Sequence, residues 1–252
     1  ALNVYPLLEW RTRISHGYQL PSGRTGAQRW DEARFHAEPL PGPVYLVWDH
    51  VSSELFQNED DDSVLQFMLN DEPLSPMDEL PGFSENQLIF NLSDSLWTGE
   101  NQLKIMSASS TRQPVVVQEW LSVRGDFCVR TLEGLQVLSP PPLTLKTGSW
   151  TEQGYPYYQG TGVYRQTVDV PDAGEDAHYQ LIFEAFADTA EVYSNDTFVG
   201  VLQPGDRQIT ISGFVEPGAN RFEIRITNTW KEEPQMIMKP SGLLGPVFLE
   251  VR

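Results

Sequence analysis

Apolar and polar residues alternate along this chain in short runs, and that period of two is what most limits its fold. Val44-Tyr45-Leu46-Val47-Trp48, Leu88-Ile89-Phe90 and Leu103-Lys104-Ile105-Met106 carry the pattern in the first half. In the second half it runs through Tyr179-Gln180-Leu181-Ile182-Phe183, Ile209-Thr210-Ile211 and Phe222-Glu223-Ile224-Arg225-Ile226. A pleated strand sends successive side chains to opposite faces and so produces this pattern, whereas a helix places an apolar residue every three or four positions. No amphipathic helix of three turns is readable. The 19 glycines and 19 prolines are spread along the chain, as frequent turns between short strands require. The expected fold class is all-β.

The two halves also repeat one another in order. Leu7-Leu8-Glu9-Trp10 resembles the segment that ends at Trp150, and Arg34, in an extended run ending at Pro39, resembles Arg165, in a run ending at Pro171. Asn70-Asp71 resembles Asn195-Asp196, both placed where a tight turn would join two strands. The sharpest match aligns Trp97-Thr98-Gly99-Glu100-Asn101-Gln102-Leu103-Lys104-Ile105 with Glu216-Pro217-Gly218-Ala219-Asn220-Arg221-Phe222-Glu223-Ile224. A last one sets Gly125 against Gly245. Ser139-Pro140-Pro141-Pro142 lies between the halves, and prolines stiffen a linker and cannot donate to a sheet. Two tandem antiparallel β-sandwiches are therefore expected, over residues 1–138 and 139–252. One large jelly roll is the alternative.

Composition narrows the partners. Thirty-five acids against 17 lysines and arginines give a net charge of -18, which repels phosphate backbones and anionic lipid and suits a neutral partner such as a glycan. Neither nucleic acid nor a membrane is expected. Cys128 is the one cysteine, so no internal disulfide can form; between Phe127 and Val129 it reads as a buried, inert thiol rather than a nucleophile. No apolar run approaches the length of a membrane span. The residues after Ala1 show no signal-peptide pattern, which leaves the compartment open.

In the second half, Trp150-Thr151-Glu152-Gln153-Gly154-Tyr155-Pro156-Tyr157-Tyr158-Gln159-Gly160-Thr161-Gly162-Val163-Tyr164-Arg165 is a distinctive string. It resembles the opening of the sugar-binding-like β-sandwich in bacterial glycoside hydrolases of family 2 and of the α-L-rhamnosidase type. Pro240-Ser241-Gly242-Leu243-Leu244-Gly245-Pro246-Val247 resembles the close of that module, and Ala190-Glu191-Val192-Tyr193-Ser194-Asn195-Asp196 its hairpin. The resemblance covers residues 143–252; the first half joins it through the internal repeat, without the aromatic loop and with an insertion around Glu59-Asp60-Asp61-Asp62. It implies jelly-roll, galactose-binding-domain-like sandwiches forming a non-catalytic accessory region beside a catalytic domain of the same parent chain.

Candidate binding residues follow. Tyr155, Tyr157 and Tyr158 offer flat faces and hydroxyls suited to a sugar ring; equally, the loop reads as a plug over the open end of the sandwich, with Trp150 in the core. Trp230, at the end of a strand, reads either as a second exposed ring or as buried. Arg165 and Arg34 read as structural ion pairs or, alternatively, as ligand contacts. The acids from Glu59 to Asp62 lack the spacing of a calcium loop and read as a solvated charged segment, although a structural calcium ion held by backbone carbonyls would leave little sequence trace. Arg124-Gly125-Asp126 spells an adhesion tripeptide, and Asn91-Leu92-Ser93 and Asn195-Asp196-Thr197 fit the glycosylation pattern, both common by chance.

No hydrolase elbow, zinc-protease, P-loop or dinucleotide motif is present. His16, His36, His50 and His178 have no ligand spacing. A pair of carboxylates acting on a glycosidic bond has no neighbour-sequence signature, and no acid stands out. No catalytic residue, cofactor or metal ligand is expected in this fragment; its expected partners are a neutral carbohydrate and the parent's catalytic domain. The alternatives are a purely structural module that braces the catalytic domain, and a stand-alone polysaccharide hydrolase or lyase.

Overall fold

The computed structural model describes residues 2–49, 63–77, 86–110, 121–158, 160–174, 176–228 and 239–252. The chain separates after Pro142 into two compact units. Regular structure among the described residues is strand, apart from the single 3-10 turn Thr151–Gln153.

The first unit runs β1 (Asn3–Pro6), β2 (Trp10–Gln19), β3 (Thr25–Ala37), β4 (Val44–Trp48), β5 (Val64–Leu69), β6 (Glu72–Leu74), β7 (Leu88–Asn91), β8 (Gly99–Ser109), β9 (Leu121–Gly125), β10 (Cys128–Leu132) and β11 (Leu135–Ser139). One sheet has the order β1-β9-β4-β7; the other has β10-β11-β3-β8-β5-β6, with β2 also on β3. The pairings are antiparallel except β11 on β3, which is parallel over two residue pairs. Alternation turns Phe35, Leu46, Phe67, Phe90, Leu103, Ile105 and Val123 inward into one core, as a sandwich with two inner faces requires.

The second unit runs β12 (Gly160–Val170), β13 (Tyr179–Phe183), β14 (Thr189–Ser194), β15 (Thr197–Leu202), β16 (Gln208–Thr210), β17 (Gly218–Asn228) and β18 (Val247–Val251). Its sheets have the orders β12-β17-β14-β15 and β16-β13-β18. Leu181, Phe183, Val192, Phe222, Ile224 and Ile226 form its own core around Trp150.

The order β3-β8-β5-β6 in one unit has the same wiring as β12-β17-β14-β15 in the other. The turns agree in atomic detail. Asn70 and Asp71 have φ of 52° and 67°, Asn195 and Asp196 of 48° and 65°, the positive pair that a two-residue hairpin turn demands. Asn70 Nδ2 donates to Asn101 Oδ1 at 2.9 Å and Asn195 Nδ2 to Asn220 Oδ1 at 2.8 Å. Gln102 N donates to Asn70 Oδ1, and Arg221 N to Asn195 Oδ1, each at 2.9 Å.

Two of the sequence alignments are displaced. Phe35 lies opposite Asn101 and Val168 opposite Asn220, so the register partner of Arg165 is Glu32 and not Arg34. Gly125 ends β9, whereas Gly245 precedes β18. A period of two repeats itself at every second residue and leaves such slips undetected.

Candidate functional site

The string that opens the second unit folds onto the string that closes it. Trp150, 1% exposed, precedes the 3-10 turn, which Gly154 ends with φ 92°. The indole Nε1 donates to the Tyr164 hydroxyl at 2.6 Å, and that hydroxyl also accepts from Leu243 N at 3.3 Å. Trp150 N donates to Ser241 O at 2.9 Å and Gly148 N to Leu243 O at 2.7 Å. Two glycines let the ring in. A Cβ on Gly162 would stand 2.3 Å from Trp150 Cζ2, and one on Gly242 2.3 Å from Trp150 Nε1. Gln153 ties the incoming chain to the joint, accepting from Lys146 N at 2.9 Å and donating to Lys146 O at 3.0 Å.

The tyrosine loop continues this joint inward. Tyr157 is 8% exposed, and Tyr155 and Tyr158 pack half-buried against the core. Tyr158 meets Trp150 edge to face at a centroid distance of 5.5 Å and Tyr155 at 5.8 Å. Asn228 Nδ2 holds the loop by donating to Tyr158 O at 2.8 Å. Burial pushes the phenols of Tyr157 and Tyr158 above their ordinary value, because the phenolate would lose its water. Tyr158 thus links the Tyr155 ring to the indole.

Arg165 stands apart from that cluster. Alternation along β12 turns Tyr164 toward Trp150 and Arg165 to the opposite face, where its Nε donates to Glu223 Oε2 at 2.6 Å. Glu223 also accepts from Arg225 Nε at 2.6 Å. Arg225 lies over the Tyr193 ring at 4.4 Å from its centroid. The hydrogen bond from Arg225, helped by that from Arg165, holds the Glu223 carboxyl below the usual carboxylate range despite some burial. Arg34 bonds to Glu32 at 3.1 Å and Glu100 at 2.9 Å. Trp230, the acids from Glu59 to Asp62, and His50 lie outside the described residues.

The remaining sequence candidates have structural partners. Arg124 bonds to the Asp49 carboxylate and to Ser122 Oγ, and a Cβ on Gly125 would meet Pro43 O at 2.9 Å. The Asn195 side chain is engaged at both ends in its turn. Cys128 is buried, its thiol donating to Pro140 O at 3.2 Å. Among the described residues no group of three or more His, Cys, Asp or Glu is arranged to hold a metal ion.

On the side of the second unit where β12 and β18 end their sheets, a groove of about 840 Å³ is lined by Leu145, Val163, Val168, Ile224, Phe248 and Leu249 among others. In the first unit the corresponding edge of β3 carries β2 and β11.

The sequence matches no protein-family model and no curated protein. Partial similarities link it to solved structures of glycoside hydrolases. A rhamnosidase from Novosphingobium sp. PP1Y is 17% identical over 96% of this chain and 25% of that one, at a TM-score of 0.38. The α-L-rhamnosidase of Streptomyces avermitilis, complexed with L-rhamnose, is 12% identical over 90% of this chain and 22% of that one, at 0.31. A β-glucuronidase from Ruminococcus gnavus is 8% identical over 98% and 46%, at 0.26. The chain thus spans a quarter or less of the length of the two rhamnosidases.

Proposed function

We propose that this chain is a non-catalytic, carbohydrate-binding-like accessory region of a bacterial glycoside hydrolase, built as two tandem galactose-binding-domain-like sandwiches. The observation that carries the reading is the joint at Trp150. The two strings that resemble the glycoside-hydrolase module, Trp150 to Arg165 and Pro240 to Val247, are far apart in sequence. They close on each other through Tyr164, Gly162 and Gly242, so the residues that carry the resemblance are the residues that build one structural unit. Residues with a shared structural job in that module are the ones a relative would keep.

Within this reading, a specific observation favours a bracing role for the second unit. Tyr157 is buried, and Tyr158 packs edge to face with both Tyr155 and Trp150, so the loop stiffens the sandwich that would stand beside the catalytic domain of the parent chain. Turnover tests the non-catalytic half of the proposal. The purified chain, incubated with a panel of aryl glycosides, is expected to release no aglycone above the blank. Release abolished by replacing a single carboxylate would overturn it.

A further inference from the structure

Leu92 to Thr98 connects β7 to β8, and in that connection Trp97 is 56% exposed. The backbone beneath it is fixed. Trp97 N donates to Asn101 Oδ1 and Trp97 O accepts from Asn101 Nδ2, each at 2.8 Å, and Asn101 is itself fully buried. The second unit contains the same turn with the same bonds. Glu216 N donates to Asn220 Oδ1 at 3.1 Å, Glu216 O accepts from Asn220 Nδ2 at 2.6 Å, and Gly99 and Gly218 share φ values of 103° and 102°. At the position of Trp97 that turn carries glutamate. The turn therefore works without an aromatic residue, and the exposed indole is an addition that folding does not explain. Exposed aromatic surface on a rigid mount is what ring-stacking ligands use.

A small concavity of about 110 Å³ is lined in part by Trp97. Leu40 and Leu96, half-buried against the first core, line it. Glu38, Ser93 and Thr98 are the polar side chains among its lining residues. Ser93 Oγ accepts from Val44 N at 3.1 Å and keeps its proton to donate. An exposed indole beside a small concavity lined by a carboxylate residue and two hydroxyl residues suits a sugar, whose C–H groups can lie on the ring while its hydroxyls find polar partners. An anionic ligand would face Glu38 and a net charge of -18.

We propose that Trp97, Glu38, Ser93 and Thr98 form a binding site for one pyranose ring of a neutral glycan. The assignment rests on the accessory-region reading and moves its ligand contact from the tyrosine loop of the second unit to the turn of the first.

The test is ligand-observed NMR and calorimetric titration of the 252-residue chain with methyl glycosides of L-rhamnose, D-galactose and D-glucose and their neutral oligosaccharides, with choline as a cationic probe. Trp97→Glu installs the residue that the matching turn already tolerates, so it is expected to keep the wild-type melting temperature; Glu38→Gln is the second variant. The expected result is that at least one sugar of the panel binds the wild type, with affinity falling about tenfold or more in Trp97→Glu and less in Glu38→Gln. Equal sugar binding by wild type and Trp97→Glu would overturn the site and leave the accessory reading intact. Binding of choline without sugar would overturn the ligand class. Binding of no sugar in the panel would overturn the proposal outright, and the accessory reading would then be decided by the turnover assay alone.

Discussion

At the scale of single residues, Trp150 joins the opening and closing strings of the second unit, and Tyr158 of the tyrosine loop packs on it. Tyr164→Phe removes the oxygen that accepts from both Trp150 Nε1 and Leu243 N. Leaving buried donors unpaired costs about 1–3 kcal/mol each, which a shift in the denaturation midpoint reads directly. Gly162→Ala sets a methyl against the Trp150 ring, and overpacking of this kind costs about 1–3 kcal/mol. Combined with Trp150→Phe, which shrinks that ring, its cost should be less than additive in a double-mutant cycle. Tyr157→Ala should destabilise by about 3–5 kcal/mol if its ring fills the core as Phe and Trp do elsewhere; little loss of stability would mean the loop does not plug the sandwich. The sequence offered the loop as platform or plug. Composition could not choose between them, because Gly154, Pro156 and three tyrosines serve either role; the choice depends on where Tyr158 finds Trp150, a contact made only in the fold. Trp97 stood in the sequence only as one term of an alignment. The contrast that drew attention to it was already there, in the glutamate at the matching position.

At the scale of elements, strands were legible and their register was not. Each alternating run cited above lies within or largely on a strand, because two-faced burial writes itself into a period of two. The Asn-Asp turns were also readable, since few residues other than Gly accept consecutive positive φ values. Arg34 and Arg165 were set together for their type, yet hydrogen-bond pairing offsets them by two residues, and nothing in a two-residue period resists that slip. The asparagines that lock β8 and β17 are the element-scale test. Asn101 and Asn220 each bond three backbone groups and the asparagine of the preceding hairpin. Asn220→Ala strips partners from buried amides, a loss of about 1–3 kcal/mol for each group left unsatisfied, and hydrogen exchange should quicken at Asn195 and Arg221 before it does elsewhere in that unit.

At the scale of the whole molecule, pH and cooperativity carry the predictions. The phenols of buried Tyr157 and half-buried Tyr158 hold their protons more tightly than the unfolded chain does. Their contribution to stability is therefore complete below pH about 10 and drains away above it, as the unfolded state deprotonates first. Denaturant midpoints measured from neutral to strongly alkaline pH should fall over that range, and Tyr157→Phe should shallow the fall. The acidic surface was plain from composition and two units were expected from the repeat; which residues share each core was not legible, because Phe35 with Leu46, or Ile224 with Leu181, joins one cluster from distant stretches of sequence. Two similarly wired sandwiches, each with its own core, are the centre of this account, and calorimetry of the wild type with Asn101→Ala and Asn220→Ala tests it most directly. The account predicts two resolvable unfolding transitions, one lowered by Asn101→Ala alone and the other by Asn220→Ala alone. A single transition lowered by either substitution would contradict it.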